Sequence, residues 1–274
     1  MYKLLATDVD GTLIGRDFII SQANKSAIAA AQAAGIHIVL CSGRSYESLK
    51  FFAKDLGIIA PGNYLIGFNG CTIYDLHTSA VLFEHGLAAK PAALALEACV
   101  ASGIKAEPVV YINSQEVMIL GDGIWSREYM QTSKVRSICV DNQAAAIRDR
   151  GSDIGKIIFI GANEDLQTLN TALKKTLGDS AAVFFSSDYL LEVMTTSTNK
   201  GAALTQLCRH LNINTGETIA IGDNHNDISM LQAAGAGIAV NNAVPELKAI
   251  ADYITLADCD NDAVAETINK FILI

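Results

Sequence analysis

Two pairs of aspartates in the sequence have the spacing and the neighbours that phosphate chemistry requires. Asp8 and Asp10 lie in the motif "DVDGT", and Asp223 and Asp227 lie in "GDNHND". Carboxylates that cluster repel one another, and a hard divalent cation with oxygen ligands relieves the repulsion. Mg²⁺ suits such a cluster because it binds a few protein oxygens, keeps bound waters and takes phosphate oxygens as partners. We therefore expect Mg²⁺ among these carboxylates.

Two further motifs supply groups that bind anions. They are "SGR", with Ser42, Gly43 and Arg44, and "TSTNKG", with Lys200. Ser42, the backbone amides around Gly43, the start of the following helix and Lys200 suit a small tetrahedral anion. Arg44 is a candidate substrate contact. Carboxylates with Mg²⁺ on one side and anion-binding groups on the other describe a site for phosphoryl transfer.

The first motif places two acids one residue apart. A carboxylate can attack phosphorus and form an aspartyl-phosphate, which divides one difficult displacement into two easier ones. A second acid must protonate the leaving alkoxide and later deprotonate water. Asp8 and Asp10 are about 6 to 7 Å apart on an extended chain, which leaves room for a phosphoryl group. We expect Asp10 to lie farther from the metal and near other negative charge.

The elements that must position these residues alternate between strand and helix. An apolar strand at about residues 3–8 precedes a helix that Ser21 opens and Gly35 closes, and the strand "IHIVLC" precedes a second helix at about 45–56. The same alternation returns after residue 200. This order predicts an α/β fold with a doubly wound, Rossmann-like parallel sheet. All four motifs then fall near the carboxyl ends of strands, where such sheets bind ligands.

The middle of the chain has a different pattern. It mixes predicted helices, such as "PAALALEACVASG", with extended segments such as "PVVYI" and "EVMIL". We expect a catalytic core at residues 1–84 and 189–274, and an inserted α+β domain at residues 85–188.

Composition excludes several classes of function. The formal net charge of −9, from 20 basic and 29 acidic residues, offers no basic surface for nucleic acid or anionic lipid. No stretch approaches the roughly 18 apolar residues of a membrane span, and the N-terminus does not have the pattern of a signal peptide. We expect a cytoplasmic protein, a monomer or small homo-oligomer, whose partner is a small phosphate ester.

The four motifs together resemble those of a known family. "DVDGT", "SGR", "NKG" and "GDNHND", in this order, are similar to the motifs of the haloacid dehalogenase (HAD) superfamily of phosphotransferases. The insertion between "SGR" and "NKG" is similar to the α+β, type IIB cap of the Cof-type branch. The resemblance covers the whole chain, and four ordered motifs are far more specific than a single "DxD".

The resemblance implies a role for each motif residue. It implies that Asp8 is the nucleophile and Asp10 the general acid and base. It implies that Mg²⁺ is held by the Asp8 carboxylate, the Asp10 backbone carbonyl and Asp223, with Asp227 acting through water or by orienting Lys200. The residues that it implies for phosphate binding are Ser42, Gly43, Lys200 and Asn226.

We interpret the chain as a Mg²⁺-dependent phosphatase of a small phosphorylated metabolite, such as a sugar phosphate or a phosphorylated cofactor, with the inserted cap selecting the leaving group. One alternative is a phosphomutase on the same scaffold, which returns the phosphoryl group to a second position of a sugar. Another is a non-catalytic phospho-acceptor module of the receiver type, which also combines an acidic pocket, a Ser or Thr and a lysine. Receiver modules are much shorter and need no cap, so the insertion disfavours this alternative.

Overall fold

The structure is a computed structural model that describes residues 1–113, 115–121, 123–133 and 135–273. The chain divides into two compact units. The first contains Met1–Glu84 and Thr198–Ile274, and the second contains His85–Ser197.

Helices and strands alternate along much of the chain. The N-terminal elements are β1 (Leu4–Thr7), α1 (Gln22–Ala33), β2 (His37–Cys41), α2 (Tyr46–Asp55), β3 (Tyr64–Gly67), β4 (Thr72–Asp75) and β5 (Val81–Glu84). The second unit contains α3 (Ala89–Ser102), β6 (Ala106–Tyr111), β7 (Glu116–Leu120), α4 (Trp125–Ser133), β8 (Arg136–Val140), α5 (Gln143–Arg150), β9 (Lys156–Gly161), α6 (Asn163–Leu177), β10 (Ala182–Ser187) and β11 (Leu190–Met194). The C-terminal elements are α7 (Lys200–Leu211), β12 (Thr218–Gly222), α8 (Ile228–Ala233), β13 (Ala236–Ala239), α9 (Pro245–Lys248), β14 (Tyr253–Ile254) and α10 (Ala263–Phe271).

The first unit is built on one sheet, which within the described residues has the strand order β14-β13-β12-β1-β2-β3-β4-β5. The strands from β14 to β3 are parallel, and β4 and β5 join one edge antiparallel. Every residue of β1 and β12 is buried, which is why these strands are nearly continuous apolar runs. The predicted α/β fold with a doubly wound parallel sheet is confirmed.

The order of the strands reverses at β1. The chain runs from β1 to β2 and β3 on one side, whereas β12, β13 and β14 extend the sheet on the other side. Such a reversal is the point at which open α/β sheets bind ligands, beyond the carboxyl ends of the strands. A site in this unit is therefore expected among the residues that follow β1, β2 and β12.

The second unit has a sheet and a hydrophobic core of its own. Within its described residues the strand order is β10-β11-β9-β6-β7-β8, antiparallel except for the pair β7–β8. The core contains Leu96, Phe159 and Leu169, which lie on α3, β9 and α6.

The second unit extends past residue 188, where the sequence analysis ended the inserted domain. The expected boundary falls between β10 and β11, which pair antiparallel with Ala182 opposite Met194. β11 also pairs with β9, and residues 189–197 belong to the second unit rather than to the first.

None of the helices in the described part of the chain combines the length and the apolar character that a bilayer span requires.

Candidate active site

Asp8 stands at the carboxyl end of the central strand. Its backbone N–H donates to the carbonyl oxygen of Ile221 on β12 at 2.9 Å, so the pairing of β1 with β12 continues one residue beyond the strand. The side chain of Asp8 is buried. The hydrogen bonds of the sheet thus fix the backbone of Asp8, whose carboxyl group is shielded from solvent.

Lys200 lies between two of the predicted acids. Its Nζ atom is 2.6 Å from Asp8 Oδ1 and 2.6 Å from Asp227 Oδ1, and the residue is 0% exposed. Lys200 is the first residue of α7, and Asn199 caps that helix by accepting from the Ala202 N–H at 2.9 Å. Burial disfavours the charged amine, but the carboxylates of Asp8 and Asp227 outweigh burial and raise the pKa of Lys200 above its usual value.

Asp227 forms hydrogen bonds with the backbone of its own loop as well as with Lys200. Its Oδ2 atom accepts from the backbone N–H groups of Asp223 and Asn224, at 3.0 Å each. A Cβ atom on Gly222 would lie 2.5 Å from the Asp227 Cβ, so glycine is needed at that position. Both carboxylate oxygens of Asp227 thus accept hydrogen bonds within the protein, which suits a residue that orients Lys200 and the loop.

The first and last motifs meet at Asp223. Thr12 Oγ1 donates to Asp223 Oδ1 at 3.1 Å. Gly11 has a φ of +77°, and a Cβ atom there would lie 2.5 Å from Asp223 Oδ2, so both its conformation and its lack of a side chain are required. Burial, with a smaller contribution from Asp227, raises the pKa of Asp223 to about 6.

The donor set and the charge of this cluster fit a divalent metal ion. One carboxylate oxygen from each of Asp8, Asp223 and Asp227 lies within 4.8 Å of the others. Burial raises the pKa of Asp8 well above its usual value, Lys200 opposes the rise, and Asp227 and Asp223 add to it. Three carboxylates therefore share one lysine. Oxygen ligands with excess negative charge are what Mg²⁺ binds in proteins.

The "SGR" turn follows β2 at the same edge of the sheet. Ser42 is buried, its Oγ atom accepts from the Arg44 N–H at 3.2 Å, and its carbonyl oxygen accepts from the Asn69 N–H at 3.0 Å. A Cβ atom on Gly43 would lie 3.2 Å from Asn69 Nδ2. Asn69 Oδ1 in turn accepts from Asn226 Nδ2 at 3.0 Å. Asn69 therefore connects the turn after β2 to the loop after β12.

Asp10 is next to a cation, whereas we had expected it near other negative charge. Arg44 Nη2 is 2.6 Å from Asp10 Oδ1, and Arg44 Nε donates to Asp10 Oδ2 at 2.7 Å. The Asp10 and Arg44 side chains are 45% and 29% exposed, respectively. This partner was not expected, because the sequence does not reveal the direction in which the long arginine side chain turns. Arg44, a predicted substrate contact, is engaged with Asp10 in this structure.

Two residues that lie at the carboxyl end of this sheet were not named in the sequence analysis. Asn242 Nδ2 donates to the Gly11 carbonyl oxygen at 2.8 Å, and Asn242 Oδ1 accepts from the Cys259 N–H at 2.9 Å. Nothing in the sequence around Asn242 distinguishes it from an ordinary turn residue. Asn69 has a φ of +54°, and the "FNG" segment was the signal that a special turn lies there.

The fold and the site define an α/β protein with an acid-and-lysine cluster beyond the carboxyl ends of its central parallel strands. A family model described as haloacid dehalogenase-like hydrolase matches residues 5–268 of the chain. The chain therefore belongs to the haloacid dehalogenase-like hydrolase family. The resemblance on which the sequence analysis relied is confirmed, as is the prediction of a hydrolase.

Individual proteins are similar to this chain over almost its full length. The Bacillus subtilis (strain 168) protein YxeH, provisionally named a phosphatase, is 30% identical over 277 residues, which covers 100% of this chain and 99% of that protein. The HMP-PP phosphatase of Klebsiella pneumoniae (strain 342) is 28% identical over 277 residues, covering 99% of this chain and 96% of that protein. The crystal structure of a haloacid dehalogenase-like hydrolase from Bacteroides thetaiotaomicron has a TM-score of 0.87 and 27% identity, and the match covers 99% of this chain and 100% of that one.

Proposed function

We propose that the protein is a Mg²⁺-dependent phosphatase that hydrolyses a small phosphorylated metabolite through an aspartyl-phosphate on Asp8. One observation carries the proposal: Asp8, Lys200 and the "GDNHND" loop, from the two ends of the chain, meet in one buried cluster at the switch point of the sheet. The phosphatase names of full-length relatives support it. Sugar phosphates and phosphorylated cofactors are the substrate classes that we favour.

Asp8 is the residue that we assign as nucleophile. Its carboxylate oxygen attacks phosphorus, a new O–P bond forms, and the bond from phosphorus to the alcohol oxygen of the substrate breaks. Lys200 holds the Asp8 carboxylate in place and offsets part of the negative charge that a phosphate ester brings. Because Asp8 continues the pairing of the central strand with β12, its backbone is fixed before the substrate arrives.

Asp10 is the residue that we assign to proton transfer. It donates a proton to the departing alcohol oxygen in the first step. In the second step it takes a proton from the water that attacks phosphorus, which breaks the O–P bond to Asp8 and releases inorganic phosphate. Ser42, the backbone around Gly43, Lys200 and Asn226 are the groups that we assign to the phosphate oxygens.

Mg²⁺ would be held by the carboxylates of Asp8 and Asp223 and by the backbone carbonyl of Asp10, and it would supply positive charge to the phosphoryl group. Asp227 supports this set by holding Lys200 and the backbone of Asp223. We assign the second unit, His85–Ser197, the role of the inserted cap that selects the leaving group.

The test is the substitution Asp8→Asn, assayed for phosphate release from p-nitrophenyl phosphate. Asparagine keeps the size of the side chain but is not a nucleophile, so we expect kcat to fall by about a thousandfold or more. The control is Asp17→Asn, an exposed aspartate in the same segment, which should keep normal activity. Near-normal turnover by a folded Asp8→Asn variant, checked by circular dichroism, would contradict the assignment.

A further inference from the structure

The guanidinium group of Arg44 forms hydrogen bonds with Asp10 and with Ser48. Nε and Nη2 donate to the two carboxylate oxygens of Asp10, and Nη1 donates to Ser48 Oγ at 3.0 Å. Every nitrogen of the Arg44 side chain thus has a hydrogen-bond acceptor within the protein. Two parallel N–H···O bonds between an arginine and a carboxylate fix both the distance and the orientation of the acid.

Two aromatic rings restrain the guanidinium further. The Cζ atom of Arg44 is 5.2 Å from the ring centre of Phe52 and 5.9 Å from that of Phe18, both within cation–π distance. Phe52 is buried on α2, so it provides a fixed surface for the arginine. Arg44 is therefore held by α2 and by the segment that follows Asp10, as well as by Asp10 itself.

We propose that Arg44 is a positioning residue for Asp10 and not a ligand of the substrate phosphate. The inference rests on the proposed function, in which Asp10 donates a proton to the leaving oxygen. Proton transfer needs a distance of about 2.6 to 3.2 Å between the heavy atoms. The Asp10 side chain is nearly half exposed, so solvent would allow it several rotamers if Arg44 did not hold it. Misplacement of a catalytic group by about 1 Å can cost about a hundredfold in rate.

The paired arrangement is compatible with proton donation. When Asp10 carries its proton on one oxygen, the other oxygen still accepts an N–H bond from Arg44. The proton then passes to the alcohol oxygen as the bond from phosphorus to that oxygen breaks and the bond from phosphorus to Asp8 forms. Arg44 keeps one hydrogen bond throughout and so continues to orient the acid.

The acidity of the leaving group distinguishes this role from phosphate binding. Phenyl phosphate and p-nitrophenyl phosphate have nearly the same shape, but p-nitrophenol is a much stronger acid than phenol and leaves without help from a proton donor. Loss of a positioned acid therefore slows phenyl phosphate more than p-nitrophenyl phosphate. Loss of a phosphate ligand slows both esters equally, because they share the phosphoryl group.

The experiment compares Arg44→Ala with the wild type on both esters by measuring kcat/KM from phosphate release. This parameter covers binding and the transfer to Asp8, so the later attack of water does not enter it. We expect a loss of about a hundredfold for phenyl phosphate and of less than about tenfold for p-nitrophenyl phosphate. The control Arg209→Ala removes an exposed arginine of the same unit and should leave both values unchanged.

Two further variants separate orientation from charge. Arg44→Lys keeps the positive charge but cannot make two parallel bonds to one carboxylate, so we expect it to retain the selective loss for phenyl phosphate. Asp10→Asn should show the same selectivity between the esters, and the double variant Arg44→Ala with Asp10→Asn should be no slower than Asp10→Asn alone.

Equal losses for the two esters, with recovery in Arg44→Lys, would overturn the inference and make Arg44 a phosphate ligand. Unchanged kcat/KM values in Arg44→Ala would also overturn the inference. Faster release of phosphate from phenyl phosphate would overturn it too, because the contact would then hinder proton transfer by Asp10 instead of assisting it. A wild-type protein that releases no phosphate from either ester would instead show that the proposed function itself is wrong.

Discussion

At the scale of single residues, the charge of the site is not balanced by the protein. Asp8, Asp223 and Asp227 are brought together around one lysine, Lys200. Burial raises the pKa of Asp8 and Asp223, because the charged forms of these acids lose hydration that Lys200 only partly replaces. A bound divalent cation would remove this excess negative charge, so it should stabilise the folded protein as well as serve catalysis.

The effect of Mg²⁺ on stability should therefore depend on pH. The pKa of Asp223 rises from 3.8 to about 6 on folding. A carboxyl group with a raised pKa in the folded state favours folding at low pH and loses this contribution as the pH rises through the folded pKa. In EDTA, the contribution of Asp223 to the free energy of unfolding should thus fall as the pH rises from about 4 to about 6. Mg²⁺ needs ionised carboxylates, so its stabilising effect should be larger at about pH 7 than at about pH 5.

The measurement is the thermal unfolding midpoint in EDTA and in excess Mg²⁺ at both pH values. Saturation at about a hundred times Kd adds about 2.7 kcal/mol, and a protein of this size shifts by about 2–4 °C per kcal/mol, so the expected rise at the higher pH is several degrees. Asp223→Asn is the matched control and should lose most of the Mg²⁺ effect. Equal midpoints in EDTA and Mg²⁺ at neutral pH would count against the metal site.

The sequence was informative about residues whose place in the site follows from their position at the end of a strand or the start of a helix. Asp8, Lys200 and Asp223 were singled out because four polar motifs together fall near the carboxyl ends of strands, where doubly wound sheets bind ligands. The partner of Asp10 was not identified, since it depends on how the Arg44 side chain turns. Asn242 was not identified either, because it acts on the backbone of Gly11 from a distant loop.

At the scale of elements, the position of Lys200 depends on how closely α7 approaches α8. A Cβ atom on Gly201 would lie 2.0 Å from the carbonyl oxygen of Ser229, and the Gly201 N–H donates to Ser229 Oγ at 3.2 Å. The glycine is buried in the first turn of α7, next to Lys200. The helix that carries the lysine is thus placed by direct contact between two backbones.

Gly201→Ala should consequently destabilise the protein although alanine is the better helix former. By helix propensity alone the change would stabilise by up to about 1 kcal/mol, whereas overpacking against backbone costs about 1–3 kcal/mol. We expect a lower midpoint in urea unfolding and a lower kcat, because Lys200 moves with α7. Gly121→Ala, where an added Cβ would meet nothing within 4 Å, is the control and should change little. A midpoint for Gly201→Ala at or above that of the wild type would show that the two helices separate at no cost.

Elements with strong apolar patterns could be located from the sequence, and weaker ones could not. The helices α1 and α3 and the strands β2 and β7 lie where the patterns placed them. β8 was missed because this strand is largely exposed, with the burial pattern of an edge. β11 was missed because Glu192 interrupts its apolar run. The structure shows that Glu192 is buried in an ion pair with Lys156 at 2.9 Å, which no local pattern reveals.

At the scale of the whole molecule, the chain is two units with separate hydrophobic cores. The acids and the lysine of the site all belong to the first unit, whereas the single tryptophan of the chain, Trp125, belongs to the second. The order of the motifs was enough to predict an insertion between "SGR" and "NKG". Its C-terminal limit could not be predicted, because that limit depends on the pairing of β11 with β9 and β10.

This division predicts that Mg²⁺ affects two spectroscopic signals differently. Far-ultraviolet circular dichroism follows both units in urea unfolding, and Trp125 fluorescence follows the second. A ligand stabilises the unit to which it binds, so Mg²⁺ should shift the circular dichroism transition upwards and leave the fluorescence transition nearly unchanged. Asp223→Asn should abolish the Mg²⁺-induced shift of the circular dichroism transition, so that the two signals no longer differ in their response to Mg²⁺. Equal shifts of both signals would indicate that the two units unfold as one.

The central position of β1 also has a consequence for synthesis of the chain. β1 leaves the ribosome well before its neighbour β12, which follows only after the entire second unit, although Leu4 pairs with Thr218. Until then one edge of β1 has no partner strand. A nascent chain of this protein is therefore obliged to keep an open sheet edge in solution until β12 emerges, and a message that stops before residue 218 yields a product that cannot close its first unit.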